Sequence, residues 1–361
     1  MMQWLPAIFI IPYIILLLRI YRSLKRAKTF ASFPAHHLSV SVIIPCRNEE
    51  RSLPELLTDI SCQDYPSALF EVIVVDDNST DNTFQTALEI KQIKNIKVIH
   101  NNGSGKKEAV RCGIDAASSD LIITTDADCR AGEKWISTIV TFYQQHQADL
   151  IIGPVRIISG KGFSSKFQEL EFIGLQGITA GTALEGNPTM CNGANLAFTK
   201  RIYYKNEDNL HPEIPSGDDI FLLHSIKQQA GSKILWLESP EATINTAPVT
   251  STVAFLKQRS RWLAKSSAYK DSTTILLGVA TLVPSLLILF ALTASFFNSI
   301  FIPLLAVLFL VKSIPDFLVL KNTTSRYGNE KLMNWFVPAQ LIYPFYVTGV
   351  AAIALLKGRH R

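Results

Sequence analysis

Short apolar runs recur through the first part of the chain, each closed by a polar cluster. Residues 40–45, 71–75, 96–100 and 121–128 are rich in Val and Ile and are bounded by Asn, Asp, Ser or Gly, which predicts strands. Between them, 49–62, 80–93 and 106–117 carry helical spacing. Pro54 lies within the first, and Thr80-Asp81-Asn82 supplies a cap for the second. Strands alternating with helices at this interval predict an α/β domain with a doubly wound, mostly parallel sheet. The polar residues gather just after the strands, at the carboxyl edge where such sheets bind ligands.

A second pattern is the absence of charge. Residues 3–18 carry none, and Arg19, Arg22, Lys25, Arg26 and Lys28 follow without an acid. Positive charge after the apolar run, with no small-residue cleavage site, predicts a membrane anchor with a cytoplasmic basic flank rather than a signal peptide. Residues 272–311 are also uncharged. As one helix they would be about 60 Å long, twice the hydrocarbon thickness, so two spans joined near Asn298-Ser299 are expected. The second continues to Leu320 and carries Lys312 and Asp316, four apart and spaced to pair. The last uncharged stretch, 332–356, contains Pro338 and Pro344 and precedes Lys357, Arg359 and Arg361. Counted as a full span, it would place that basic end outside, against the positive-inside tendency, so 336–347 read equally as an interfacial or re-entrant segment. From 249 to 270, Lys257, Arg259, Arg261, Lys265 and Lys270 interleave with Val253, Phe255, Leu256, Trp262, Leu263 and Tyr269, an amphipathic basic pattern suited to a membrane surface. The organisation expected is an anchor at 1–30, a cytoplasmic α/β domain at 38–248, an interfacial segment at 249–271 and a region of two to three spans at 272–361.

Composition adds little to this. The 361 residues carry a formal net charge of +5 and are 48% hydrophobic, concentrated in the segments above. The basic patch adjoins membrane spans and no nucleic-acid recognition fold accompanies it, which argues against a nucleic-acid partner. Five scattered cysteines without a Cys-x-x-Cys suit a reducing cytoplasm and give no zinc pattern. His100, His146, His211 and His224 show no metal spacing.

The candidate chemistry lies at the strand ends. Two carboxylates at the end of a buried run are costly in a core but suit a sheet edge. Positions i and i+2 of a strand share a face, so Asp126 and Asp128 could hold one hard cation, Mg²⁺ or Mn²⁺. A turn with a helix cap would use the same residues. Neither Gly-x-Gly-x-x-Gly nor Gly-x-x-x-x-Gly-Lys-Ser/Thr is present, so a nucleotide diphosphate would be neutralised through a metal on this pair rather than by a glycine loop. Lys106 and Lys107 open a helix, where they reach a diphosphate or form a solvated pair. Ser216-x-x-Asp219 opens another helix. Its dipole favours ionised Asp218 and Asp219, which suits a base that takes a hydroxyl proton, and equally suits a plain capping box.

Taken in order, these stretches resemble family-two glycosyltransferases of the GT-A fold. Val40-Ser41-Val42-Ile43-Ile44-Pro45-Cys46-Arg47-Asn48-Glu49-Glu50 resembles their opening strand, and Val74-Val75-Asp76-Asp77-Asn78-Ser79-Thr80-Asp81 their second motif. Gly105-Lys106 with Ala109 and Asp126-Ala127-Asp128 resemble the third and the metal motif. Met190-Cys191-Asn192-Gly193-Ala194-Asn195-Leu196-Ala197-Phe198 is similar to their acceptor-side strand, Ser216-Gly217-Asp218-Asp219 to the site of their acidic pair, and Gln258-Arg259-Ser260-Arg261-Trp262 to their Gln-x-x-Arg-Trp. The likeness covers roughly 40–265 in the family's order. It implies donor binding by Pro45, Arg47, Glu49, Asp76, Asp77 (the better candidate for reading the nucleobase), Lys106 and Asp126. It also implies a metal on Asp128 with Asp126, a base at Asp219 beside Asp218, and acceptor or diphosphate contacts from Gln258, Arg261 and Trp262. The expectation is a multi-pass, inverting, metal-dependent hexosyltransferase of the cell membrane and envelope. It would move a sugar from a nucleotide-sugar, UDP-linked, to a lipid or lipid-linked glycan. A processive polysaccharide synthase is the alternative, through the similarity of Gln-x-x-Arg-Trp to cellulose and hyaluronan synthases, although the spans are few for a polymer channel. A non-catalytic nucleotide-sugar-binding protein is a third reading, which the presence of Asp126, Asp128 and Asp219 opposes.

Overall fold

The computed structural model describes residues 7–31 and 38–358. The start of the expected anchor and the basic residues Arg359 and Arg361 lie outside the described residues. Contacts divide the chain into two compact units, each built from separated stretches. Elements are numbered along the chain through both.

One unit, Lys28–Ile158 with Met190–Ala247, holds the strands β1 (Val40–Cys46), β2 (Phe70–Asp76), β3 (Ile96–His100), β4 (Leu121–Thr124), β5 (Cys129–Ala131), β6 (Leu150–Ile152), β7 (Val155–Ile157), β8 (Leu196–Thr199), β9 (Ile234–Trp236) and β10 (Ile244–Thr246). Its helices include α2 (Leu53–Ser61), α3 (Thr83–Leu88), α4 (Lys106–Ala116), α5 (Trp135–His146), α7 (Lys200–Asn206) and α8 (Asp218–Lys227). Seven strands form one sheet in the order β3-β2-β1-β4-β8-β6-β9, and β5-β10-β7 form a second. The sheet is an α/β arrangement of mostly parallel strands: β1 pairs in parallel with β2 and β4, while β8 runs antiparallel to β4 and β6. Every residue of β1 and β2 is buried, as a parallel strand covered on both faces requires. Gly113 of α4 lets the helix lie close on β1, for a Cβ there would come within 2.5 Å of Ile43.

Three sequence expectations change here. The fourth strand stops at Thr124 instead of running to residue 128. The Thr125 N–H still reaches the Ile43 carbonyl at 3.2 Å, and the chain then leaves the sheet, so Asp126 and Asp128 sit on a turn and not on one face of a strand. A turn keeps two neighbouring carboxylates from being buried in the sheet. The helix beginning at 49 starts instead at Leu53, which puts Pro54 in its first turn, where a missing N–H costs nothing. The helix expected to reach 93 ends at Leu88, since only Thr83 and Ala87 of it are buried.

The other unit, Met1–Ala27, Ser159–Thr189 and Pro248–Arg361, is helical. The stretch 159–189 therefore interrupts the range 38–248 expected for a single α/β domain. The unit contains α1 (Ile11–Arg26), α6 (Phe163–Leu184), α9 (Thr252–Ala264), α10 (Ser272–Ser295), α11 (Phe301–Arg326) and α12 (Phe336–Gly358). Four of its segments, Ala7–Arg26, Ser272–Ser295, Phe301–Arg326 and Glu330–Leu356, are long and apolar enough to cross a membrane. Helix α12 runs unbroken through Pro338 and Pro344, so no break at 336–347 supports the re-entrant reading. Gly177 and Gly181 face Thr323 and Ile20 so closely that a Cβ would sit 2.6 and 2.5 Å from them, which lets α6 approach α11 and α1. Inside the apolar helices Lys312 is buried and partnered. Its Nζ donates to Asp316 Oδ2 at 2.5 Å and Gln340 Oε1 at 3.1 Å, Gln340 Nε2 donates to Asp316 at 3.0 Å, and the Tyr13 hydroxyl donates to the other Asp316 oxygen. This network joins α1, α11 and α12, and it satisfies a charge that would otherwise be prohibitive in hydrocarbon.

Candidate active site

The predicted donor-side residues gather at the ends of parallel strands and in the segments that follow them, with Lys106 opening α4 beyond β3. β1 ends at Cys46. Pro45 lies within it, buried, while Arg47 is exposed and Glu49 half-buried in the loop that follows. β2 ends at Asp76, with Asp77 next, and both are buried. The loops after β1 and β2 are stitched by two asparagines in left-handed conformation, Asn48 at φ 58° and Asn78 at φ 56°. Asn48 accepts from the Thr80 N–H at 2.8 Å and its own N–H donates to Ser79 Oγ at 2.9 Å, while Asn78 Nδ2 reaches the Gly103 carbonyl at 3.1 Å. Asparagine visits this backbone region more readily than other non-glycine residues, which is the sequence signal for them.

Asp77 ties the second loop to the third. Its Oδ1 accepts from the Gly105 N–H at 2.8 Å and Asn101 Nδ2 at 2.7 Å, and Arg47 stands 3.9 Å from Oδ2. Gly105 needs its φ of 92° to present that N–H. Asp76 accepts from the Ser79 N–H at 3.3 Å and faces His100 Nδ1 at 3.6 Å, while its Oδ1 is buried without a partner.

At the end of β4 the half-buried Asp126 is ion-paired with Lys106, and Asp128 lies two residues further along the turn. The Asp128 carboxyl is raised above its ordinary value by loss of solvent around it and then by the charge of Asp126. Glu49 is raised too, first by burial and further by Asp128, Asp126 and Asp81, against a lowering hydrogen bond from Ser52. Burial alone would lower the Lys106 ammonium, but Asp126, Asp218 and Asp219 outweigh it and the net shift is upward. The edge is thus crowded with negative charge around one lysine.

β8 and α8 bring the acidic pair to the same place. Asp219 Oδ2 accepts from the Gly193 N–H at 3.0 Å, and the Thr124 hydroxyl donates to the Gly193 carbonyl at 2.8 Å. A Cβ on Gly193 would lie 3.6 Å from Asp219 Cβ and 3.7 Å from Lys106 Nζ, so the turn before β8, the base candidate and the lysine are contiguous. Asp218 opens α8, and its carboxyl is raised by burial and by Asp219, with Lys106 opposing. Asn195 fixes this turn: it accepts from Trp135 Nε1 at 3.0 Å and donates to the carbonyls of Pro154 and Ala242, both at 2.8 Å. Sequence reading gave Asn195 and Asn101 no role, because their function is to hold neighbouring loops, which spacing does not reveal.

Gln258, Arg261 and Trp262 belong to α9 of the helical unit. Within that unit it is Arg259 that is buried. It meets Glu171 at 2.7 Å and donates to Gln258 Oε1 at 2.6 Å, and its guanidinium lies 4.2 Å from the Trp262 ring centroid. Tyr346 donates to the same Glu171 at 2.9 Å. One of the five cations expected at a membrane surface therefore serves the packing of Gln258 and Trp262 instead.

Residues 41–206 match the model of Glycosyl transferase family 2. Poly(ribitol-phosphate) beta-N-acetylglucosaminyltransferase TarS of Staphylococcus aureus is 30% identical over 135 residues, 37% of this chain and 24% of that protein. Undecaprenyl-phosphate 4-deoxy-4-formamido-L-arabinose transferase of Pseudomonas fluorescens is 37% identical over 125 residues, 32% of this chain and 35% of that protein. The chain spans only part of either relative. Among solved structures, the mannosyltransferase PcManGT of Pyrobaculum calidifontis, in complex with GDP-Man and Mn2+, aligns over 97% of this chain and 96% of its own with a TM-score of 0.59 at 18% identity, which shows a shared GT-A fold.

Proposed function

Because residues 41–206 belong to glycosyl transferase family 2, we propose that the protein transfers a sugar, with inversion, from a UDP-linked donor to a lipid or lipid-linked acceptor at the cytoplasmic face of a membrane. The observation that carries this reading is the meeting of Asp126, Lys106, Gly193 and Asp219 at one sheet edge. A lipid acceptor is supported by four helices of membrane-spanning length and by relatives named for poly(ribitol-phosphate) and undecaprenyl-phosphate.

In this reading the loops after β1 and β2 receive the nucleoside, with Pro45, Arg47, Glu49, Asp76 and Asp77 around it. Lys106 offsets charge on the diphosphate. Mg²⁺ or Mn²⁺ suits the donor set at Asp128 and Asp126, whose carboxylates are hard oxygens crowding one another. Among the described residues no group of three or more His, Cys, Asp or Glu forms a metal cage, so the remaining ligand positions fall to the donor's phosphates and water. When bound, such a cation neutralises the departing diphosphate. Asp219 is the base. The Gly193 and Ile220 N–H groups, at 3.0 and 2.8 Å, orient its two oxygens, and spare lone pairs remain for the acceptor hydroxyl. Gln258, Arg261 and Trp262 serve the acceptor and the diphosphate.

The test is a screen of radiolabelled nucleotide sugars with membrane lipid extract. Transfer of label from one donor into the lipid fraction is expected. Failure of every donor both to bind and to be consumed would overturn the reading, and label appearing in a growing polymer would favour the processive alternative.

A further inference from the structure

The two lysines that open α4 go to different partners. Lys106 pairs with Asp126. Lys107 Nζ donates to the carbonyl oxygens of Leu210 and His211, both at 2.7 Å, and lies 4.9 Å from the centroid of the Phe221 ring. Those contacts grip both ends of one loop. Leu210 and His211 begin it, and Phe221 lies in α8 two residues beyond Asp219. The loop has little regular structure of its own. His211 is left-handed at φ 54°, its carbonyl also accepts the Ile214 N–H at 3.0 Å, its Nδ1 lies 2.8 Å from Glu213 and its ring lies 4.6 Å from Phe221. Gly217 at φ 94° then turns the chain into α8, with no side-chain cap. A cation shared by two consecutive carbonyls and an aromatic face restrains such a segment in a way that a neutral side chain does not.

We propose that Lys107 is a positioning residue, which ties the start of the 210–217 loop to the first turns of α8 and so sets where Asp219 meets the acceptor hydroxyl. The inference rests on the proposed role of Asp219 as base. Its neighbour Lys106 keeps the diphosphate side, so consecutive residues of one helix would serve the donor and the base separately.

The experiment uses the full chain in detergent with Lys107→Met, Lys107→Arg and Phe221→Leu. Amide hydrogen exchange across 210–221 needs no substrate, and steady-state transfer is measured alongside nucleotide titration. Lys107→Met should speed exchange at Ile214 and Phe221 and lower kcat by about tenfold while nucleotide affinity stays within about twofold, as expected when a group is misplaced rather than removed. Lys107→Arg should restore part of both, and Phe221→Leu should move both in the same direction by less. Unchanged exchange in Lys107→Met would overturn the inference. So would a loss confined to nucleotide affinity, which would make Lys107 a diphosphate contact. Should Lys107→Met fail to fold, the other two variants carry the same exchange test. If the unmodified protein consumes no donor, the proposed function falls, and the exchange result alone decides whether Lys107 holds the loop.

Discussion

Asp218 and Asp219 are neighbours with opposite prospects. Asp219 has both oxygens oriented by backbone N–H groups, whereas Asp218 is held above its ordinary value by burial and by Asp219. Asp219→Asn keeps a hydrogen-bond acceptor for Gly193 but cannot take a proton. Transfer should fall by about 10²-fold or more with nucleotide affinity little changed. Asp218→Asn is the control, and a larger loss there would move the base to Asp218. Glu71 provides a pH prediction outside the site. Its burial would raise it, but hydrogen bonds from Lys97, Ser118 and Ser41 prevail and hold it near 2 instead of 4.5. A depressed carboxylate stabilises the fold above its ordinary value and loses that contribution as pH falls through the folded one. The stability difference between the unmodified protein and Glu71→Gln should therefore be constant above about pH 4.5 and shrink towards pH 2, followed by thermal unfolding. A difference independent of pH across that window would show that Glu71 acts by packing alone. At this scale the sequence revealed the residues that carry charge, since Asp77 and Asp126 stand out after apolar strands and Asp219 at a helix start. It concealed Gly193 and Asn195, whose work is done by a backbone N–H and by bonds across distant loops.

Elements were legible where one pattern decided them. β3 was expected at 96–100 and is found there, because an Ile/Val run between turns has one reading. The end of the fourth strand was not legible, since Thr125 continues the β-prone run and only the cost of burying carboxylates ends it. Helix α6 was missed altogether: Phe167, Leu170 and Ile173 form an apolar stripe, but the buried residues beside them include Gln168, Glu169, Gln176 and Thr179, which blur the pattern. Its Glu171 meets Arg259 of α9 in a buried ion pair that Tyr346 of α12 completes. Removing one partner should cost about 3–5 kcal/mol, because the other charge stays buried. Arg259→Met and Glu171→Leu should each lower the unfolding temperature markedly, and the double variant should recover towards the unmodified protein. Additive losses in the double variant would mean that the pair contributes no coupling.

For the whole molecule, the four apolar helices predict that a high-salt wash leaves the protein in the membrane, and release by salt would show that only basic surface holds it. Protease added outside intact cells should leave the sheet unit uncut, and cleavage there would reverse the cytoplasmic assignment. Excess EDTA should abolish transfer and Mn²⁺ or Mg²⁺ restore it, whereas full activity in EDTA would remove the metal from the mechanism. Which residues adjoin in space was the least legible level, because the helical unit is assembled from three separated stretches. Its buried network also bears on biogenesis. Tyr13 lies 303 positions from Asp316, so its helix is synthesised long before the acceptor of its hydroxyl. Nascent chains that stop before α11 would leave that hydroxyl without this acceptor. Synthesis of α11, rather than of α1, is then the step at which this hydroxyl is satisfied.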